Sequence, residues 1–231
     1  MFVTDTNMNK KFYITTQRIR VVLARRRLAG TNFSIISNNC WGAHVYQTLG
    51  REFNTPFIGL FLSPISYLRL LTTFPQCLSL PLNFKVASDE DSINHAREAH
   101  AHQWPIGCLE DVAEIQFMHY QSEAEAREKW QRRIARLSVQ PTQWFFKFCD
   151  RDGCTLGQMT AFDQLPFTNK VLFTTHQDCV ARCAVHIPSD NTTVPDGLVL
   201  SKLSPKYFDS VNWLNGGSGR INCWTRALTC I

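Results

Sequence analysis

The sequence contains no run of about 18 apolar residues, so no membrane-crossing helix is expected of it. Its glycines follow neither a G-x-G-x-x-G nor a Walker pattern, which removes the usual sign of a loop cradling nucleotide phosphates. Internal repeats and low-complexity tracts are missing too. Charged residues are scarce, 19% against 44% hydrophobic, which excludes a disordered chain and suits a packed core. Met1 to Lys11 is polar and lacks an apolar stretch leading to a small-residue cleavage site, so it is not expected to act as a secretory signal.

What the sequence has in quantity is aromatic and sulfur. Sixteen Phe and six Trp supply core volume, each buried ring removing roughly 150–250 Å² from water. Nine cysteines, odd in number and scattered, do not form a disulfide framework. Cys77, Cys108 and Cys149 lie in apolar runs, where a thiol behaves as a small hydrophobe; a reduced, cytoplasmic protein is expected. Cys149-x4-Cys154 and Cys179-x3-Cys183 offer thiolates for zinc but no tight C-x2-C knuckle. The trio His95, His100 and His102 lies in a polar segment, Ser88–Gln103, that reads as a solvated loop or frayed helix. No metal is assigned, and the need for any cofactor stays open.

The net charge of +5 is uneven. Residues 1–30 carry Lys10, Lys11, Arg18, Arg20, Arg25, Arg26 and Arg27 against Asp5, so the remainder is nearly neutral and a nucleic-acid-binding face is not expected. Ile14, Ile19, Val22, Leu23 and Leu28 interleave with these charges at helical spacing. Residues 10–28 could therefore touch an anionic membrane; the favoured reading is a solvated helix with one apolar stripe on the core. The organisation expected is a basic leading segment over 1–30, an α/β domain over 31–217 and a tail over 218–231.

Strands are predicted at Phe33–Ser37, Pro56–Leu62, within Ile106–Tyr120 and ending at Phe117–Tyr120, at Trp144–Phe148 and at Lys170–Thr174. Helices are predicted at Trp41–Leu49, from Ser63-Pro64 to about Phe74, from the Ser122 cap to about Leu137, at Thr155–Leu165 and at Ser204–Leu214. This alternation predicts an α/β fold, a three-layer α/β/α sandwich around a mostly parallel or mixed sheet.

Ligands of such sheets sit beyond the carboxyl ends of the strands. The turn Ser37-Asn38-Asn39-Cys40-Trp41-Gly42 falls there. A cysteine at a helix start meets unpaired N–H groups that favour its thiolate, Asn38 and Asn39 could donate to an oxyanion, and Gly42 permits a close approach by chain or ligand. A capped helix start with a buried thiol and a packed Trp41 is the plainer alternative. His119, at a predicted strand end, is the first candidate base, and His44, one turn after Cys40, the second. Asp150, Arg151 and Asp152 precede the Asp152-Gly153 turn and are expected at the same crevice. Arg132, Arg133 and Arg136 follow Glu123, Glu125 and Glu128 along one helix, normally a solvated face, though Arg133 could clamp an anion.

Several segments together resemble one bacterial family. They are Asn32–Gly42, Thr55–Phe61, Trp104–Gly107, His119-Tyr120, Glu125-Ala126 with Lys129-Trp130 and Arg132-Arg133, Asp152–Thr155, and Leu165–Phe167 with Asn169-Lys170. The family is the domain of unknown function 1919, often labelled exopolysaccharide or capsule biosynthesis protein, and the likeness spans roughly residues 15–217. The resemblance implies a three-layer fold and a transferase acting on a sugar or sugar-linked intermediate. Cys40 and His119 would then line the crevice beside Asn38, Asn39, Trp41 and Gly42, with Arg133, Asp150, Arg151 and Asp152 as further binding residues. A fainter similarity to papain-like cysteine peptidases would make Cys40 a nucleophile and His119 its base, in a hydrolase or acyltransferase. A non-catalytic part of a polysaccharide assembly complex is the third possibility. Ala43 and Trp104 stand where the family commonly has glycine and tyrosine.

Overall fold

The computed structural model describes residues 18–30, 32–100 and 103–221. Residues 18–27 form helix α1. β1 (Ser34–Ser37), α2 (Trp41–Leu49) and α3 (Pro64–Thr72) follow. Next come β2 (Leu82–Lys85), α4 (Asp91–Glu98), β3 (Ile106–Leu109), β4 (Ala113–Gln116) and α5 (Glu123–Ile134). The last third contains β5 (Trp144–Cys149), α6 (Leu156–Gln164), β6 (Asn169–Thr174), β7 (Ala184–His186), α7 (Gly197–Leu203) and α8 (Ser210–Leu214). No described helix is long and apolar enough to cross a membrane.

The α/β expectation holds. β1, β5, β6 and β7 make a parallel sheet in that order, and β2, β3 and β4 a separate antiparallel one. Alternation along β5 divides the core. Trp144, Phe146 and Phe148 point into one cluster with Tyr67 of α3 and Phe162 of α6. Phe145 and Cys149 point into the other, with Trp41 and Tyr46 of α2, Leu200 of α7 and Trp213 of α8. Helices thus cover both faces of the parallel sheet.

Local signals explain most of the elements. Ser63 caps α3 by accepting from Ser66 N, with Pro64 in the first turn. Ser122 accepts from Glu125 N at the start of α5, and Thr155 with Gln158 forms a full capping box on α6. The strand predicted at Pro56–Leu62 is absent. Its residues are largely buried, but Gly59 takes φ +71° and only Phe61 bridges to a strand, at Gln116 of β4. The strand predicted to end at Phe117–Tyr120 stops at Gln116, as the second arm of the hairpin β3–β4, with His119 in the turn beyond it. Asp91–Glu98 is a formed helix, and the predicted Ser204–Leu214 helix divides into a 3-10 turn, Ser204–Lys206, and α8.

Candidate active site

The carboxyl rim of β1 and β5 is assembled from three loops. Its centre is a lysine to which the sequence reading gave no role. Lys147, on the same face of β5 as Phe145 and Cys149, is fully buried. Its Nζ donates to Asn39 Oδ1 at 2.8 Å and Asn38 Oδ1 at 3.1 Å. Burial holds the amine below the ordinary lysine range, opposed by nearby Cys149, Asp152 and Cys40. Both carboxamides turn their nitrogens to Cys149 Sγ, Asn39 at 3.3 Å and Asn38 at 3.6 Å. Their oxygens therefore accept hydrogen bonds from Lys147, and each amide nitrogen directs one N–H at Cys149 Sγ. Asn38 and Asn39 are both buried and engaged with Lys147 and Cys149. Asn39 Oδ1 also accepts from Trp41 N, capping α2.

Cys40 stands at the cap position of α2, half-buried, with its thiol toward the Leu60 carbonyl at 3.9 Å. Burial pushes the thiol up to about 11, with Lys147 pulling it down and Asp196 adding to the rise. Removal from water thus works against the thiolate that a helix start favours. His119 is exposed, its backbone N–H donating to Gly59 O at 3.0 Å. Among the described residues no hydrogen bond joins its ring to Cys40. The His44 ring meets Gln47 Oε1 at 3.1 Å.

Trp41 and Gly42 face inward. The Trp41 indole donates to Ser204 Oγ at 3.0 Å and packs among Phe173, Phe208 and Trp213, and a Cβ on Gly42 would lie 3.1 Å from Ile35 and Ser37. The close approach that Gly42 permits is α2 to β1. Arg133 is buried as well, donating to the Tyr120 hydroxyl at 2.5 Å and the Ile58 carbonyl at 3.4 Å, and its guanidinium lies over Phe53. It secures the 58–60 segment through Nη1.

Asp150 is fully buried and acts as a fastener: Oδ2 accepts from Thr175 N at 2.6 Å and from the Thr174 and Thr175 hydroxyls, and Oδ1 from Val194 N at 2.8 Å. It binds the ends of β5 and β6 to the 190–195 loop and does not face a crevice. Arg151 Nη1 donates to Val194 O at 3.1 Å. Arg151 and residues 190–195 line a shallow hollow of about 430 Å³ at this rim. Asp152, at φ +60°, lies 3.9 Å from Arg151 and keeps 35% of its side-chain surface. Partial burial raises its carboxyl above the usual range, against the pull of Arg151 and Lys147. The third loop completes the rim, because Gly197 at the start of α7 sits directly on the backbone of Cys40 and Trp41.

Asn38, Asn39, Cys40, Asp150, Arg151 and Asp152 are thus brought together, with His119 and Arg133 set apart around the 58–60 segment. Asp196 and Lys147 were missed. Lys147 did carry a signal, since it is the one charge in the aromatic strand Trp144-Phe145-Phe146-Lys147-Phe148-Cys149. Among the described residues no three His, Cys, Asp or Glu side chains gather as a metal site, and Cys40, Cys77, Cys108, Cys149, Cys154, Cys179 and Cys183 are free thiols.

A family profile described as "Domain of unknown function (DUF1919)" matches residues 10–215. A Haemophilus influenzae protein described as "Uncharacterized protein" is 36% identical over 215 residues, covering 90% of this chain and 94% of its own length.

Proposed function

The chain belongs to the DUF1919 family, and from that premise we propose that it is a transferase of bacterial surface-polysaccharide assembly, acting on a sugar or sugar-linked intermediate. The observation that carries the reading is the hollow walled by Arg151 and residues 190–195, at the end of the strand that holds Lys147. This is where parallel sheets take ligands. Arg151 spends one N–H on Val194 O and has others for an anionic leaving group. Asp152, with its raised carboxyl, is the group suited to accept the proton of an acceptor hydroxyl. The acceptor oxygen would bond to the sugar carbon as the bond to phosphate breaks, the electron pair leaving on the phosphate. The choice of sugar rests on the motif resemblance.

A cysteine hydrolase or acyltransferase through Cys40 and His119 has less support, since burial works against the thiolate and, among the described residues, no hydrogen bond joins the imidazole to it. Titration calorimetry with a panel of nucleoside-diphosphate sugars tests the transferase reading. Binding by at least one, weakened about tenfold or more in Arg151→Ala with the fold intact by circular dichroism, is the expected result. If no compound binds, or Arg151→Ala binds equally well, a non-catalytic role in the assembly complex takes its place.

A further inference from the structure

We infer that the outward face of α1 seats the protein on an anionic lipid surface, a property independent of the rim and its substrate. The helix has two apolar faces. With 3.6 residues per turn, Val21, Ala24 and Leu28 share one side, and Ile19, Val22 and Leu23 the other. The first side meets the body: Leu28 is buried in the second core cluster, and Ala24 packs against it. The second side faces solvent, with Ile19, Val22 and Leu23 keeping 54%, 47% and 51% of their surface. A helix resting on a core through one stripe would not expose these three side by side, so the sequence expectation of a single core-facing stripe is corrected. Residues 10–17 of the basic segment lie outside the described residues.

The orientation is fixed from behind. Arg25 Nε donates to Thr48 O at 3.0 Å, Arg27 pairs with Asp209, and Asn215 donates to Arg27 O and accepts from Ala29 N. These bonds hold the body-facing side down and leave the other turned outward.

Charge names the occupant. Residues 18–30 hold Arg18, Arg20, Arg25, Arg26 and Arg27 and no acid. Arg26 projects from the middle of the Ile19–Val22–Leu23 side and is exposed. In a protein interface that guanidinium would need a buried acidic partner. At a bilayer its stem lies along the apolar surface while the head reaches the phosphates, and the exposed Arg18 adds to the attraction of the negative leaflet.

The test is co-sedimentation of the full chain with phosphatidylcholine vesicles and with vesicles mixing in phosphatidylglycerol. Binding to the anionic vesicles, reduced by added salt, is expected. The doublet Ile19→Ser with Leu23→Ser should weaken it about tenfold or more, and Arg26→Glu in the same direction, with the melting temperature unchanged because these side chains are exposed. Absence of binding, equal binding to phosphatidylcholine alone, or binding indifferent to the doublet would each overturn the inference. So would a dimer that the doublet dissolves, since a second copy would then be what covers the face.

Discussion

Cys40 sits where backbone N–H groups and the helix dipole favour an anion, yet its thiol is pushed up to about 11 because most of it is out of water beside Leu60 O. At neutral pH its thiolate fraction falls roughly 100-fold or more below that of an ordinary cysteine of pKa about 8.5. Mapped alkylation with iodoacetamide should find Cys40 slow at neutral pH and faster as the pH climbs toward 11, with the same profile in His119→Ala. Rapid labelling at neutral pH that His119→Ala abolishes would reinstate a thiolate–imidazole pair. The neighbouring Lys147 teaches the complementary lesson. Its strand was legible from the run of aromatics, but a sequence does not say what lies across the sheet from a charge. Only the pairing of Ser37 with Lys147 reveals that Asn38 and Asn39 arrive to receive the amine.

At the scale of elements, the start of α7 is the tightest junction of the rim. A Cβ on Gly197 would come within 2.8 Å of Trp41 N and 3.2 Å of Cys40 N, both backbone atoms that cannot rotate aside. Gly197→Ala should therefore lower stability by about 1–3 kcal/mol, read as a lower urea midpoint, and loosen the 190–197 segment over Cys40. An unchanged midpoint would mean that α7 yields at no cost. The elements that could be read from sequence are those with both a period and a cap: α3 behind Ser63-Pro64, α5 behind Ser122 and α6 behind Thr155. The apolar run Pro56–Leu62 announced burial correctly and conformation wrongly, since apolarity reports removal from water whether or not the backbone is extended. β7 has three residues and β2 four, too few for alternation to stand out. α7 escaped notice because its capping residue Asp196 follows a proline-bearing loop.

For the molecule as a whole, pH joins the buried thiols and the buried amine. Burial raises Cys40 and Cys77 to about 11 and Cys154 to about 12, from 9.0. These groups keep their protons when folded and lose them more readily when unfolded. Their contribution is thus complete below pH 9 and is lost as the pH rises through their folded values. Lys147 has the opposite sign. Its lowered folded pKa disfavours the folded state while the unfolded amine is protonated, and this cost shrinks as the pH approaches 10.5. Cys108 and Cys183 are raised in the same direction as the other thiols, and Lys170 is lowered like Lys147. Five thiols against two amines should make the urea midpoint decline above pH 9, more steeply in Lys147→Met, where one opposing contribution is gone. A midpoint that rises through this range would contradict the assignment.

Lys147 also gives the sheet a check on its own assembly. β1 and β5 meet in parallel with Ile36 opposite Phe146 and Ser37 opposite Lys147, and β5 is otherwise apolar on both faces and hence poorly protected against sliding. A slip of one residue turns each side chain to the opposite face. The amine would then lie against Tyr67 and Phe162, away from both carboxamides, as an unpaired buried charge. A single polar group in a greasy strand thereby fixes the register of the pair, as a key cut with one tooth admits one alignment of the lock.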